Sequence, residues 1–213
     1  MRTGQDFRAR IERRASRVRL ALSPPVLDAL DAYLRLLDVW NRKMNLTALR
    51  DADAAIDRLV LEPALAARFV PYDAGRLIDV GSGSGSPALP LKICLPRLAL
   101  SMVESKARKA AFLREAIRTL RLEGAEVQTA RFEEIAAHPG LASTVDLVTI
   151  RAVRIDPDLV AAAALVLTPG GQLFLFRGAS PVDPATLAPL FSVVGDEPLL
   201  DTKGSHLLRL VRK

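Results

Sequence analysis

A glycine-rich loop that directly follows an apolar run is the feature that most constrains this chain. Residues 77–85 read Leu-Ile-Asp-Val-Gly-Ser-Gly-Ser-Gly, and Glu104 closes the next apolar run. Because Gly81, Gly83 and Gly85 have no Cβ atoms, the backbone can turn sharply there and lie against a ligand. Glu104 follows the loop by about twenty residues. This is the sequence spacing at which nucleoside-binding folds place the carboxylate that accepts hydrogen bonds from a ribose diol. The pattern predicts a nucleoside site where a strand ends.

Two classes of nucleoside cofactor use this layout. In the dinucleotide form, Gly-x-Gly-x-x-Gly, the N-terminus of a helix holds a pyrophosphate. This chain has Gly-x-Gly-x-Gly, with Asp79 two residues before the first glycine. S-adenosylmethionine (SAM) has no phosphate but carries a cationic amino group, which an acid at the loop entrance suits. We therefore favour SAM over NAD. A glycine turn that binds nothing, the third possibility, explains the glycines but not both carboxylates.

The order of apolar segments predicts the fold class. An amphipathic helix begins after Ser23, with Pro24 and Pro25 in its first turn, and a second helix is predicted over residues 52–69. Predicted strands then alternate with helices, and the chain ends in a predicted hairpin around Gly204. This alternation is typical of an α/β, doubly wound, mostly parallel seven-stranded sheet with a terminal antiparallel hairpin, the Rossmann-like form of SAM methyltransferases. We divide the chain into a basic arm with a helical extension (1–75) and a SAM-binding methyltransferase domain (76–213).

Charge and composition narrow the possible partners. The formal net charge is +6 and the isoelectric point is about 10, which favours a polyanion such as RNA or DNA. Seven arginines fall in the first twenty residues: Arg2, Arg8, Arg10, Arg13, Arg14, Arg17 and Arg19. This segment is a phosphate-contacting arm, a solvated terminal helix or an organellar presequence.

Cysteine and histidine are scarce. One cysteine and two histidines exclude an internal disulfide, argue against a metal site and favour a reducing compartment, the cytoplasm. No apolar stretch is long enough to span a bilayer, so we expect no membrane association.

Four further segments carry a resemblance to a known family. Residues 40–47 read Trp-Asn-Arg-Lys-Met-Asn-Leu-Thr, and residues 85–92 read Gly-Ser-Pro-Ala-Leu-Pro-Leu-Lys. Residues 104–109 read Glu-Ser-Lys-Ala-Arg-Lys, and residues 150–153 read Ile-Arg-Ala-Val. Together these segments resemble the bacterial RsmG family, also called GidB. The resemblance implies a SAM-dependent methyltransferase for guanine N(7) of 16S ribosomal RNA, with ribosomal RNA or the 30S subunit as partner, and we expect a monomer.

Arg151 is the candidate catalytic residue. It ends the fourth predicted strand, and the carboxyl edge of a doubly wound sheet faces the ligand crevice. Its guanidinium can hold a guanine edge or a phosphate, and the alternative is a structural ion pair. The resemblance also places Arg151 at a cofactor position, together with Ser86, and places Phe132 and Glu133 beside the adenine. Phe132 is alternatively a core residue, and Glu104 alternatively caps the next helix. The expected cofactor set is Asp79, Gly81, Gly83, Gly85, Ser86, Glu104, Phe132, Glu133 and Arg151.

The chain departs from the family pattern around the loop and the acceptor side. It has Ser86 in place of a bulky apolar residue, Leu59-Val60-Leu61-Glu62-Pro63 in place of His-Phe-x-Asp-Ser, Arg177-Gly178 in place of Lys-Gly, and Arg154-Ile155 in place of Ala-Pro. Two alternatives therefore stay open: a SAM methyltransferase with another acceptor, and a non-catalytic RNA-binding module on the same fold. Guanine N(7) has a lone pair and no proton, so its methylation needs alignment rather than a general base.

Overall fold

The computed structural model of the protein describes residues 6–49, 51–178, 182–201 and 204–213. Within these ranges seven strands form one sheet: β1 (Arg76–Val80), β2 (Ala99–Val103), β3 (Ala125–Gln128), β4 (Val145–Arg151), β5 (Leu167–Arg177), β6 (Phe191–Pro198) and β7 (His206–Arg212). Their order is β3-β2-β1-β4-β5-β7-β6. Only β7 runs against its two neighbours, β5 and β6. The predicted doubly wound sheet with a terminal antiparallel hairpin is confirmed.

The helices of the described residues cover both faces of this sheet. They are α1 (Phe7–Arg17), α2 (Pro24–Met44), α3 (Ala52–Ile56), α4 (Glu62–Ala66), α5 (Ala88–Cys94), α6 (Ala107–Leu120), α7 (Phe132–Ala136), α8 (Pro157–Val166) and α9 (Pro184–Leu187). Ser23 directly precedes α2, as predicted, but its side chain makes no capping hydrogen bond.

The predicted helix over 52–69 is helical throughout but not uniform. A π-helical turn, Asp57–Leu61, separates α3 from α4, and a 3₁₀ turn, Ala67–Phe69, ends the segment. The Glu62 amide donates to the carbonyl of Asp57, five residues earlier, which widens the turn. Pro63, which has no amide hydrogen to donate, follows this turn. The widened turn changes which side chains face the sheet, and apolar spacing alone does not reveal it.

The sheet separates two apolar cores. On one face Leu77, Leu147 and Phe174 pack beneath α1, α2, α5 and α6. On the other face Ile78 and Val148 pack beneath α7, α8 and α9. This division follows from the alternation of side chains along a strand. The helices before residue 75 thus share a core with the sheet, and the division of the chain into two domains there stays a prediction.

The arginine-rich segment forms α1, an amphipathic helix that buries Phe7, Ile11 and Ala15. On its flank Arg10 Nη2 lies 2.6 Å from Asp53 Oδ1, and Arg14 pairs with both Asp53 and Asp57. Several arginines therefore neutralise the protein's own acids rather than extending as a free arm. The remaining exposed arginines of this segment are Arg13, Arg17 and Arg19, whereas Arg2 lies outside the described residues. Phosphate contact by the exposed arginines stays a prediction.

The strand order reverses at β1, whose neighbours are β2 on one side and β4 on the other. In an open α/β sheet such a switch point leaves a crevice beyond the carboxyl ends of the strands.

Two further properties of the described residues concern membrane spans and metal sites. None of their helices is long and apolar enough to cross a membrane, and none of their His, Cys, Asp and Glu side chains form a group of three or more that could hold a metal ion.

Candidate active site

The glycine loop after β1 makes the sharp turn that its sequence predicted. The φ angles of Gly81, Gly83 and Gly85 are +67°, +49° and +84°, in the left-handed region that favours glycine. A Cβ atom on Gly81 would lie 2.6 Å from Cγ2 of Val153, and one on Gly85 would lie 2.4 Å from Cδ1 of Leu89. At Gly81 and Gly85 an added Cβ would therefore displace a neighbouring side chain as well as strain the backbone.

Glu104 connects this loop to the end of β2. Its Oε2 accepts a hydrogen bond from the Gly83 amide at 3.0 Å, and its Oε1 accepts one from the Lys106 amide at 2.8 Å. Because a carboxylate oxygen has two acceptor positions, each oxygen retains capacity for a ribose hydroxyl. The Lys106 amide directly precedes α6, so Glu104 also satisfies a donor at the start of that helix. Both interpretations of Glu104 thus fit its geometry.

Asp79 lies in β1 and is 1% exposed. Its Oδ1 accepts a hydrogen bond from Thr149 Oγ1 at 2.6 Å, whereas its Oδ2 is buried and has no hydrogen-bond partner in the described part of the chain. Burial raises the pKa of Asp79 to about 6, and the hydrogen bond from Thr149 partly opposes this rise. An unsatisfied buried carboxylate oxygen costs free energy, and a cationic amine beside it would remove that penalty. The amino group of SAM has this chemistry.

A cleft of about 680 Å³ opens beyond the carboxyl ends of β1, β4 and β5, within the size range of small-molecule sites. Its walls are residues 81–84 with Ser86, residues 151–153 at the end of β4, Arg177 and Gly178 at the end of β5, residues 46–49 after α2, and Arg58 with Leu59 from the π-helical turn. Lys109 of α6 and Ile155 also line it. A smaller recess of about 340 Å³ lies elsewhere, against β1, β2 and β3, and includes neither the loop nor Arg151. The larger cleft is the candidate site because the glycine loop opens into it.

Arg151 lines the cleft and also forms a buried ion pair. Its Nη2 lies 2.8 Å from Oε2 of Glu62, and its Nη1 donates to the carbonyl of Arg58. The guanidinium carbon is 4.6 Å from the centre of the Phe176 ring. Burial lowers the pKa of Arg151 to about 10, and the charge of Glu62 acts in the opposite direction. The ion-pair interpretation is thus realised in the structure, and a catalytic or cofactor contact by Arg151 stays a prediction.

The remaining predicted residues fall into two groups. Ser86 is 7% exposed and lines the cleft, and its buried Oγ has no partner among the described residues. Phe132 and Glu133 form the first turn of α7 and, like Asp79, Gly85 and Glu104, are not among the described residues that line the cleft. The Phe132 side chain packs into the apolar core, as the alternative interpretation expected, while Glu133 is exposed. Contact between these two residues and an adenine stays a prediction.

The side chains of the site that were not predicted as such include Tyr33, Arg58, Glu62 and Thr149. Thr149 is a polar residue inside an otherwise apolar buried strand, which is a readable signal. Glu62 occupies the position of the acid in the family segment His-Phe-x-Asp-Ser, so that departure keeps its charge. Tyr33 gave no signal, because it falls among leucines at helical spacing, as a core residue does.

Comparison with known proteins identifies the relatives of this chain. The family model described as rRNA small subunit methyltransferase G matches residues 26–189. A protein named ribosomal RNA small subunit methyltransferase G from Xanthomonas axonopodis pv. citri is 36% identical over 214 residues, covering 98% of this chain and 96% of that protein. One with the same name from Chloroflexus aggregans is 40% identical over 151 residues, covering 71% of this chain and 63% of that protein.

A solved structure supports the fold. A SAM-dependent methyltransferase from Aquifex aeolicus superposes with a TM-score of 0.61 at 14% identity, covering 79% of this chain and 97% of that one. At this identity the likeness concerns the fold alone. The family model covers well over half of the sequence, and the chain belongs to the rRNA small subunit methyltransferase G family.

Proposed function

We propose that this protein transfers a methyl group from SAM to N(7) of a guanine in 16S ribosomal RNA. One observation carries the proposal: in a member of this family, a buried aspartate with an unsatisfied oxygen lies near the carboxyl end of β1, two residues before a left-handed glycine loop that lines the cleft. The basic net charge of +6 supports an RNA substrate.

The two carboxylates have separate roles in holding the cofactor. Oδ2 of Asp79 accepts hydrogen bonds from the cationic amino group, which neutralises its buried charge. Glu104 accepts hydrogen bonds from the ribose hydroxyls while keeping its bond to the Gly83 amide. Gly81 and Gly83 let the backbone approach the ligand, and the hydroxyl of Ser86, otherwise unpartnered in the described residues, contacts the same ligand from the cleft wall.

The chain's residues need only to align the acceptor and neutralise its charge. When bound, SAM supplies an electrophilic methyl group on a sulfonium. The guanine nitrogen attacks with its own lone pair, so no side chain has to remove a proton. Arg151, fixed by Glu62, lies at the cleft wall together with Arg58, Lys109 and Arg177. Arg58 also pairs with Glu62, and Arg177 pairs with Asp196. These cations contact RNA phosphates and hold the base in line.

The departures from the family pattern favour a second candidate. Ser86 and Ile155 both line the cleft, at positions where the family has different residue types. A changed cleft wall changes which acceptor fits. The second candidate is therefore a SAM methyltransferase of the same fold with another acceptor.

Mass spectrometry of 16S ribosomal RNA separates the candidates. The gene is expressed in a bacterial strain whose own family member is deleted, and nucleosides of the 30S subunit are analysed. Restoration of 7-methylguanosine supports the proposal. An unchanged nucleoside profile, with SAM binding intact, supports another acceptor.

We further propose that the protein is cytoplasmic and a monomer. Light scattering coupled to gel filtration measures the mass in solution and tests the oligomeric state; a 23.1 kDa species is expected.

A further inference from the structure

We propose that Tyr33 is a positioning residue that fixes the glycine loop for cofactor binding, an inference that rests on the proposed function. Tyr33 lies on α2, in the part of the chain before residue 75, and its hydroxyl donates to the carbonyl of Ser84 at 2.9 Å. Ser84 belongs to the glycine loop and lines the cleft. The hydrogen bond therefore connects the helical extension to the cofactor loop, across 51 residues of sequence.

The loop is held from two sides at consecutive residues. Glu104 accepts a hydrogen bond from the Gly83 amide on the β2 side, and Tyr33 donates to the Ser84 carbonyl on the α2 side. A third bond, from the Gly85 amide to the Ser82 carbonyl at 2.6 Å, closes the turn. The peptide plane between Ser84 and Gly85 is thus bonded through its carbonyl and through its amide.

This plane needs such anchoring because of the glycine that follows it. A peptide bond is planar, so the direction of the Ser84 carbonyl also sets the direction of the Gly85 amide. Glycine adopts left- and right-handed conformations with little penalty, so Gly85 itself does little to prevent rotation of the plane before it. A flip would break the bond from Tyr33 to Ser84 and the bond from Gly85 to Ser82, and it would disturb backbone that lines the cleft. The Tyr33 hydroxyl opposes that flip.

The chemistry of the tyrosine agrees with a role beyond filling space. Tyr33 is fully buried, and a phenylalanine would fill the same volume without burying a hydroxyl. Burial raises the pKa of the Tyr33 hydroxyl, so the group stays protonated and donates throughout the physiological pH range. Neutral tyrosine is therefore a permanent donor to the loop.

The substitution Tyr33→Phe removes the donor and keeps the ring. The matched control is Tyr72→Phe, because Tyr72 is the other tyrosine of the chain and is 93% exposed. Binding of SAM is measured by calorimetry well below the melting temperature of each variant. We expect Tyr33→Phe to raise the dissociation constant for SAM about fivefold, as the loss of one buried hydrogen bond implies. KM for SAM should rise similarly, while KM for RNA and the binding of SAM by Tyr72→Phe stay unchanged.

Hydrogen exchange of the loop amides provides a readout that does not depend on the ligand. Amides 81–85 should exchange faster in Tyr33→Phe than in the wild type, and those of β4 should not. The inference is overturned if loop exchange is unchanged, or if the variant binds SAM within twofold of the wild type. A wild type that binds no SAM contradicts the proposed function instead, and loop exchange then still decides whether Tyr33 fixes the loop.

Discussion

Glu62 and Arg151 form a buried ion pair in which Oε2 of the acid lies 2.8 Å from Nη2 of the base. The side chains are 5% and 8% exposed, so neither charge is well hydrated. The same guanidinium donates to the Arg58 carbonyl at the cleft wall. The pair therefore fixes the guanidinium of Arg151, the only charged side chain that β4 contributes to the cleft lining among the described residues.

Removal of the acid from this pair should destabilise the protein strongly. Glu62→Gln leaves Arg151 buried without a counter-charge, and we expect the free energy of unfolding to fall by about 3 kcal/mol. Urea denaturation measures the change. Glu115→Gln is the matched control because Glu115 pairs with Arg118 on the exposed face of α6 and should leave the urea midpoint unchanged. Equal effects of the two substitutions would show that Glu62 and Arg151 are hydrated.

Asp79 should make the ligand-free protein less stable as the pH rises. Its pKa is about 6 in the folded chain against an ordinary 3.8, so between these values the folded state binds more protons than the unfolded state. Stability attributable to Asp79 therefore falls as the pH rises from 3.8 to 6, by about 3 kcal/mol in total. The measurement is the difference in unfolding free energy between wild type and Asp79→Asn across this range.

Bound SAM should reverse that trend, since its amino group stabilises the ionised carboxylate and lowers the pKa of Asp79. SAM affinity of the wild type should rise with pH up to about 6 and then level off, whereas Asp79→Asn should show no such rise. If the difference in unfolding free energy between wild type and Asp79→Asn does not change with pH, the carboxyl of Asp79 is hydrated and its pKa is not raised.

Local chemistry made much of this fold predictable. The glycine loop, the strand ends and the closing hairpin follow from residues within a few positions of one another. Thus Gly81 adopts its left-handed φ and Arg151 ends β4, as expected. The contacts that hold the site were not predictable in this way. Glu62 and Arg151 are 89 residues apart, and Tyr33 and Ser84 are 51 apart, so their meeting depends on how helices pack on the sheet.

The arginine-rich start of the chain shows a second limit of prediction from the sequence. A phosphate-contacting arm and a solvated terminal helix are both basic, so composition alone was equally consistent with either. The segment forms a packed helix because Phe7 and Ile11 are buried on one face of α1. It is also held by Asp53 and Asp57, which pair with Arg10 and Arg14 from more than forty residues further along. The π-helical turn before Glu62 was likewise unreadable, since helical periodicity does not resolve one extra residue in a turn.

A methyl group added to the glycine loop should abolish cofactor binding. In Gly81→Ala the new Cβ meets Val153 at 2.6 Å, in addition to the strain of a positive φ. Gly170→Ala is the control, because Gly170 also has a positive φ, +78°, but its added Cβ would have no atom of the described residues within 4 Å. Both substitutions should cost about 1 kcal/mol of backbone strain. Only Gly81→Ala should lose SAM binding in calorimetry, because Gly81 and Val153 both line the cleft and one of them must move. Retention of affinity would show that SAM binding does not depend on the backbone position of Gly81.

The arginines of α1 should separate into two functional groups. Arg14→Ala breaks the contacts with Asp53 and Asp57, and we expect it to lower the free energy of unfolding by about 1 kcal/mol. Arg17→Ala, on the exposed face, should keep stability but weaken RNA binding and reduce its salt dependence by about one counterion. Fluorescence anisotropy at several salt concentrations checks this. If both variants lose only RNA affinity, α1 acts as a free arm.

A crystal structure of the protein with S-adenosylhomocysteine tests the central claim most directly. The account predicts that the ribose hydroxyls lie within hydrogen-bond distance of the Glu104 carboxylate. It also predicts that the amino group lies at Oδ2 of Asp79, which has no partner in the described residues of the ligand-free chain. Ligand density away from the glycine loop, or a loop cleft filled by the protein's own side chains, would contradict it.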